Sequence, residues 1–374
     1  MGRPHPSHRT PRPGRTRRGR AGFVLVRCLP FAVIAAVAAV EFSPAHGLYT
    51  GPLLTPAPAL AAVTMGPVGT LLVAGLAWLL SAATATYNQS WGSGEVYANG
   101  LALVVVSVAS VTISALRRRG GQELAQVRRV AEAAQQVVLH PVPARLGPVR
   151  AAGLYLAAEA SARIGGDLYE VISTRHGVRA IVGDVRGKGL PAVRAAAAVL
   201  GAFREAAHYE PDLAAVMDRC SSALRRESHL EGREDEDEGF VTALLVQVPT
   251  TPVVEILNRG HPPPLLVRAG RVSELQGAEP QPPLGLEALL PADHLRLVES
   301  HPFLPGDRLL LCTDGVLEAR DAGNRFFPVP ERLAHLGGHT PAERLHDLHT
   351  ALLEHTGGHL ADDAAMVLIE RTTG

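Results

Sequence analysis

Ile164-Gly-Gly-Asp-Leu-Tyr-Glu170 and, after a short gap, Ile181-Val-Gly-Asp-Val-Arg-Gly-Lys-Gly-Leu190 each set one aspartate among glycines, beside a run of β-forming residues. These are Asp167 and Asp184. Two more aspartates recur in the same setting, in Leu309-Leu-Leu-Cys-Thr-Asp314-Gly-Val316 and in Asp362-Asp-Ala-Ala-Met-Val-Leu-Ile369. Magnesium and manganese take oxygen ligands and keep several waters, so four carboxylates at strand ends suit a hard divalent site built across a sheet. Glycine lets the backbone approach closely, and a main-chain carbonyl can then add a ligand. Two such ions about 4 Å apart share a bridging water, lower its pKa and clamp a phosphoryl group for in-line attack.

Around these turns the chain alternates short strands and helices from about residue 149. Alternation and β-forming composition predict strands at 149–159, 167–174, 178–185, 240–248, 253–258, 264–268, 271–275, 295–299, 308–313 and 364–370. Helices are predicted at 189–209, 211–226 and 341–356. Hairpins with the helices grouped apart imply an α+β fold rather than a parallel doubly wound sheet. Residues 231–238 form an acidic run whose crowded carboxylates read as a solvated surface loop.

The first third of the chain has another character. Seven arginines and no acid crowd residues 1–20, a basic segment without periodicity that reads as disordered. From 42 to 116 the one Asp, Glu, Lys or Arg is Glu95. About 20 apolar residues cross a bilayer. Candidates lie at 22–40, 68–86 and 96–116, with a shorter, proline-containing one at 52–65. Arginines flank the start of the first and the end of the last, Arg117-Arg-Arg119, so both ends belong on the cytoplasmic side and the count is even. The expectation is about four transmembrane helices over 21–116, in the plasma membrane of a bacterium. The alternative is a cleaved signal peptide ending near Ser43-Pro-Ala-His-Gly47. A transporter needs ionisable groups within the spans, and these offer little beyond Arg27 and Glu41 at the edges of the first. Residues 120–141 then place Leu124, Val127, Ala131, Ala134 and Val138 at spacings of three and four, an amphipathic helix ended by Pro141 and Pro143. It either packs on its own domain or pairs with a second copy as a homodimer relay.

Other chemistries find little support. Three scattered cysteines, Cys28, Cys220 and Cys312, make neither a disulfide framework nor a thiolate metal site. Gly183-Asp-Val-Arg-Gly-Lys-Gly189 lacks the spacing and the following Ser or Thr of a nucleotide phosphate loop. No nucleophile elbow for acyl transfer is present. His261, in Asn258-Arg-Gly-His-Pro-Pro-Pro264, reads as a hydrogen-bonded structural residue rather than a zinc ligand. Nothing suggests a nucleic-acid partner.

In combination and order the motifs are specific. Gly-Gly-Asp-Leu-Tyr-Glu, Gly-Asp-Val-Arg-Gly-Lys-Gly, Phe-Val-Thr-Ala-Leu (240–244), Asn-Arg-Gly-His-Pro-Pro-Pro, Pro-Leu-Gly-Leu (283–286), Thr-Asp-Gly-Val-Leu-Glu-Ala and Asp-Asp-Ala-Ala-Met-Val resemble one family. It is the metal-dependent PPM-type serine/threonine phosphatases, in the branch typified by stage II sporulation protein E. The resemblance covers about 145–371. It implies a four-layer αββα sandwich, two antiparallel sheets flanked by helices, with a binuclear Mn or Mg centre at one edge.

Carried over by motif, Asp184 resembles the aspartate that bridges both ions, and Val185 sits where the family offers a backbone carbonyl. Asp314 and Asp362 match the remaining carboxylates on one ion, Asp362 being preferred to its neighbour Asp363. Asp167 matches a ligand, direct or through water. Asp184 and Asp314 are thereby the catalytic pair. Three positions depart from the family: Lys188 stands where many members have His, Arg259 where a small residue is usual, and Ala365 where Thr is usual. Arg186 and Lys188 either favour the substrate phosphate electrostatically or sit on an exposed turn. The resemblance implies a phosphoserine or phosphothreonine phosphatase acting on a small regulatory protein, an anti-sigma-factor antagonist, by attack of metal-activated water without a phosphoenzyme. A non-catalytic membrane sensor or scaffold is the rival reading.

Overall fold

The computed structural model describes residues 17–43, 50–157, 166–230, 239–277, 279–289 and 296–372. The basic segment up to residue 16, the proposed cleavage region from 44, Ile164, Gly165, the acidic run and the start of the strand expected at 295 lie outside them. The chain divides into two compact units, Met1–Leu124 and Ala125–Gly374.

In the N-terminal unit, helices α1 (Arg17–Glu41), α2 (Pro56–Thr64) and α3 (Pro67–Tyr87) precede α4 (Gly94–Val138), whose last part belongs to the second unit. Their ends show how the chain folds back. Glu41, at the end of α1, accepts hydrogen bonds from Thr50, before α2, and from Asn88, after α3. At the opposite end Arg117 of α4 donates to the Val63 carbonyl (2.6 Å) and Ser114 to that of Met65 (2.9 Å). The four helices therefore run alternately up and down. Two of them, Pro67–Tyr87 and Gly94–Glu123, are long and apolar enough to cross a membrane among the described residues. Among the described residues this is fewer than the about four expected. The 52–65 stretch, broken by its prolines into a 3-10 turn (Gly51–Leu54) and the nine-residue α2, has a helix about 14 Å long. A bilayer core is about 30 Å.

A second difference concerns α4. The last apolar span and the expected linker helix form one helix of 45 residues, uninterrupted at Gly120 and Gly121. A glycine costs a helix about 1 kcal/mol relative to alanine but does not break it. Pro141 and Pro143 stop it, as anticipated, and Arg204 caps its end by donating to the Val138 carbonyl (2.6 Å).

The second unit is α+β, with two antiparallel sheets. One takes β1 (Arg145–Leu146), β2 (Val149–Leu156), β7 (Leu265–Arg268), β8 (Arg271–Glu274), β10 (Arg308–Cys312) and β11 (Ala364–Arg371), in the order β1-β2-β11-β10-β7-β8. The other runs β3 (Leu168–Thr174), β4 (Gly177–Val185), β5 (Val241–Val248), β6 (Val253–Arg259) and β9 (Glu299–Pro302). Period-two alternation builds the layers. Val178, Ala180 and Val182 of β4 face Val367 and Ile369 in the core between the sheets. Ile181 and Val185 point the other way, onto α5 (Leu190–Tyr209) and α6 (Leu213–Leu230), where Phe203 and Met217 are buried. On the far side Leu310, Met366 and Leu368 pack against α8 (Val329–Ala334) and α9 (Pro341–His355). The result is four layers, helices outside and two sheets within. The two-residue strand β1 and the short helices α7 (Asp314–Leu317) and α8 carry too few residues to show a period and were not anticipated, whereas β2 falls within the strand expected at 149–159. The strand expected at 295–299 is displaced to β9, because Glu299–Pro302 are the residues that pair with β6.

Arg179 shows how a charge is made tolerable inside this sandwich. It is fully buried on β4, and it donates to the carbonyls of Ala207, Glu210 and Pro211 and to the side chain of Gln247. Those carbonyls include groups left unpaired as α5 ends. The guanidinium thus locks the helix terminus to the sheet.

Candidate metal centre

Hairpin geometry brings the carboxylates to one end of the sandwich. Leu168 pairs with Gly183, so Asp167, just before β3, lies beside Asp184 near the end of β4. Cys312 pairs with Met366, which sets Asp314, at the start of α7, beside Asp362, just before β11. Two glycines make room. A Cβ on Gly166 would stand 2.5 Å from the Val185 carbonyl oxygen, and one on Gly315 would stand 1.8 Å from that of Asp363. Neither position admits a side chain.

The cluster's electrostatics are those of crowded like charges. Asp167 is buried, and burial together with the neighbouring Asp184 raises its pKa well above the usual carboxylate range, against a lowering hydrogen bond from Thr313 (2.8 Å). Asp184 is raised by burial, then by Asp314, and more weakly by Asp362. Burial, Glu318 and Asp362 raise Asp314. Lys188 is the cation that acts against this at both Asp184 and Asp314. Its Nζ stands 2.6 Å from Asp362 Oδ1.

Asp362 and Asp363 separate by environment. Asp362 is half exposed and faces Lys188. Asp363 is buried, with its Oδ2 2.8 Å from the Tyr155 hydroxyl. That hydroxyl also lies 3.0 Å from Gln135 Oε1, near the end of α4. As the side chains stand, no group of three or more Asp, Glu, His or Cys among the described residues is gathered to hold a metal ion. The donor chemistry nevertheless fits a hard divalent cation. The donors are all oxygen, and their mutual repulsion is relieved by positive charge.

His261 joins the sheets beneath the cluster. Its Nε2 is 3.1 Å from the Cys312 carbonyl, an acceptor, so this nitrogen carries the proton. Nδ1 then accepts from the Thr242 hydroxyl (3.0 Å), whose oxygen in turn accepts from the Asp184 N–H (3.2 Å). Burial pushes the imidazole down to about 3, so it is neutral at ordinary pH. Thr242, Thr313, Tyr155 and Gln135 are the supporting residues that sequence reasoning missed. The first two stood inside quoted motifs and offered a signal; Tyr155 and Gln135 offered none. Thr313 also compensates a departure: its hydroxyl accepts from the Ala365 N–H (2.9 Å), so a hydroxyl is supplied beside that position. Arg259, another departure, is buried and donates to the Pro282 carbonyl (2.7 Å), tying down the 281–287 loop.

The family model described as stage II sporulation protein E matches residues 174–372, just over half of the chain. The chain belongs to this family. The matched stretch of this SpoIIE-family chain contains Asp184, Val185, Asp314 and Asp362 and begins after Asp167. Comparison with the curated proteins finds no match. Among solved structures, the chain is similar to the RsbU and RsbW domains of a Mycobacterium tuberculosis protein, with 24% identity and a TM-score of 0.51, over 63% of this chain and 62% of that one. It thus spans less than two thirds of that structure's length. It is also similar to the SiaA-PP2C domain of Pseudomonas aeruginosa, with 21% identity and a TM-score of 0.52, over 68% of this chain and 98% of that one. These likenesses establish the PP2C-type phosphatase fold for the SpoIIE-family domain.

Proposed function

We propose that this chain is a membrane-anchored protein serine/threonine phosphatase. It removes phosphate from a phosphoserine or phosphothreonine on a small regulatory protein, an anti-sigma-factor antagonist. What supports the reading is that sheet register sets the turns bearing Asp167 and Asp184, and those bearing Asp314 and Asp362, at one end of a PP2C-type sandwich. Asp184 would be shared between two ions, with the Val185 carbonyl, Asp314, Asp362 and Asp167 completing the protein's ligands. Manganese or magnesium bound there supplies Lewis acidity and water activation.

The chain's own residues do the rest. Thr242 and His261 hold the Asp184 backbone, and Thr313 holds the Asp167 carboxylate. Lys188 and Arg186 supply positive charge for a phosphate dianion. Cys312 is buried, with its thiol pushed up to about 12 by burial, which suits direct hydrolysis without a cysteine phosphoenzyme. Water adds to phosphorus as the P–O bond to the serine or threonine oxygen breaks, a proton of that water passes to the departing oxygen, and the hydroxyl side chain and inorganic phosphate are released.

The anchor reading rests on the two long apolar helices and on the up-and-down path, with Arg117–Arg119 at the end shared by the α2–α3 connection. The catalytic unit would then be cytoplasmic, in a bacterial plasma membrane. The helix at 120–141 remains a proposed homodimer contact. Its described apolar positions Ala134 and Val138 pack against Val193 of α5, while the side chains of Leu124, Val127 and Ala131 lie outside the description.

One observation favours the rival scaffold: the Asp362 carboxylate is already paired with Lys188. The deciding experiment measures manganese-dependent hydrolysis of a phosphothreonine peptide by the full chain in detergent, beside Asp184→Asn, with manganese uptake by calorimetry. Metal-dependent turnover lost in the variant is expected. A folded protein that takes up no manganese would establish the scaffold.

A further inference from the structure

Lys188 is the only lysine in the chain. Its ammonium lies 2.6 Å from Asp362 Oδ1, an oxygen that also accepts the Asp363 N–H (2.9 Å). The same charge faces Asp184 and Asp314. It therefore stands among three of the carboxylates that the metal reading assigns as ligands. The ion pair is open to solvent, with the side chains 31% and 52% exposed. Exposed pairs of this kind contribute about 0–1 kcal/mol, and a divalent cation displaces such a partner readily.

The lysine is also mounted to move. Gly187 and Gly189 flank it with φ of 111° and 87°, and a Cβ on Gly187 would meet nothing within 4 Å. Once released, the ammonium remains at the mouth of the cluster, directly before α5. The first turn of that 20-residue helix has no side-chain cap, so its N–H groups add to a field that favours an anion. Arg186, two residues earlier, is stacked on the Phe240 ring, 5.1 Å from its centroid, which leaves Lys188 as the mobile cation of this loop.

We propose that Lys188 is the built-in counter-cation of the carboxylate cluster, that a divalent ion displaces it from Asp362, and that the displaced ammonium then contacts the substrate's phosphoryl group. The proposal rests on the metal-centre reading above. It makes Lys188 a catalytic contact in the loaded enzyme and a competitor for metal in the empty one. A lysine on a passive surface turn would do neither.

The test uses the absence of any other lysine. The full chain in detergent micelles is acetylated with an amine-reactive ester, and peptide mass spectrometry follows Lys188 without metal, with manganese, and with manganese plus inorganic phosphate. Labelling is expected to rise several-fold with manganese, as the ion pair opens, and to fall back with phosphate. An unchanged rate on manganese addition overturns the displacement. A rise that phosphate does not reverse overturns the contact. Lys188→Met is expected to bind manganese roughly twofold to fivefold more tightly by calorimetry, and to raise KM for the phosphothreonine peptide at saturating metal. Lys188→Arg should restore both. Calorimetry on the wild-type chain separates the two readings. If no manganese binds, the metal centre itself fails; if manganese binds while Lys188 labelling and the Lys188→Met affinity stay unchanged, only the displacement fails.

Discussion

The two units bury polar groups for opposite reasons. In the helical unit, Leu71, Leu72, Leu79, Val105 and Val108 face outward while Glu41, Thr70, Thr84 and Asn99 are buried. Each of these interior groups has a partner close by: Glu41 has Thr50 and Asn88, Asn99 has Ser81, and Thr70 has the Gly66 carbonyl. That is the arrangement an apolar solvent selects, because an unpaired polar group facing hydrocarbon costs several kcal/mol. In the phosphatase unit the large apolar side chains fill the sandwich, and the buried carboxylates at its end repel one another. Polar burial completes packing in the first unit and leaves charge to be neutralised in the second. Chemistry needs the second kind.

Five substitutions test that contrast. Both tryptophans, Trp78 and Trp91, lie in the helical unit, so selectively excited tryptophan fluorescence follows that unit alone. Asp314→Asn should lower metal-dependent turnover roughly a thousandfold, equivalent to about 4 kcal/mol, with the tryptophan melting curve untouched. A variant retaining a tenth of wild-type turnover would remove Asp314 from the centre. Arg179→Met leaves three carbonyls and Gln247 without their donor. It should destabilise the phosphatase unit by about 3 kcal/mol, read as an earlier loss of activity on heating with no change in tryptophan signal.

Leu72→Asp places a charge on the outward face of α3 and should cost about 3 kcal/mol of membrane insertion, measured as protein lost from the membrane fraction. Leu304→Asp, on an exposed leucine of the phosphatase unit, should stay within about 0.5 kcal/mol. Equal outcomes for the pair would erase the distinction between the units. Glu41→Ala is milder than Leu72→Asp. It strips Thr50 and Asn88 of their acceptor and should lower the tryptophan-detected midpoint by about 1–2 kcal/mol, leaving turnover as it was.

The comparison also explains what was legible. Strands such as β4 and β5 announced themselves through runs of β-forming, mostly apolar residues buried on both faces, and the carboxylate turns through their glycines. At 52–65 the even-number argument from the flanking arginines counted a stretch already read as short and proline-containing, and those prolines leave it a nine-residue helix. The boundary at Gly120-Gly121 was also misplaced. Local propensity argues for a break there, yet the helix continues to Val138, where Arg204, a residue distant in sequence, holds its end.

By itself the sequence determined which residues are available for metal chemistry: four aspartates on tight turns, one lysine, and apolar runs confined to the first third. These are local properties, set by side-chain type and backbone freedom. The tertiary structure decided how the residues are shared out. Sheet register gives Asp362 to Lys188 and Asp363 to Tyr155, although the two aspartates are adjacent. It carries Thr313 to Asp167 across 146 residues and sets His261 between Thr242 and Cys312. Such pairings follow from which strands lie side by side, and no local pattern encodes that.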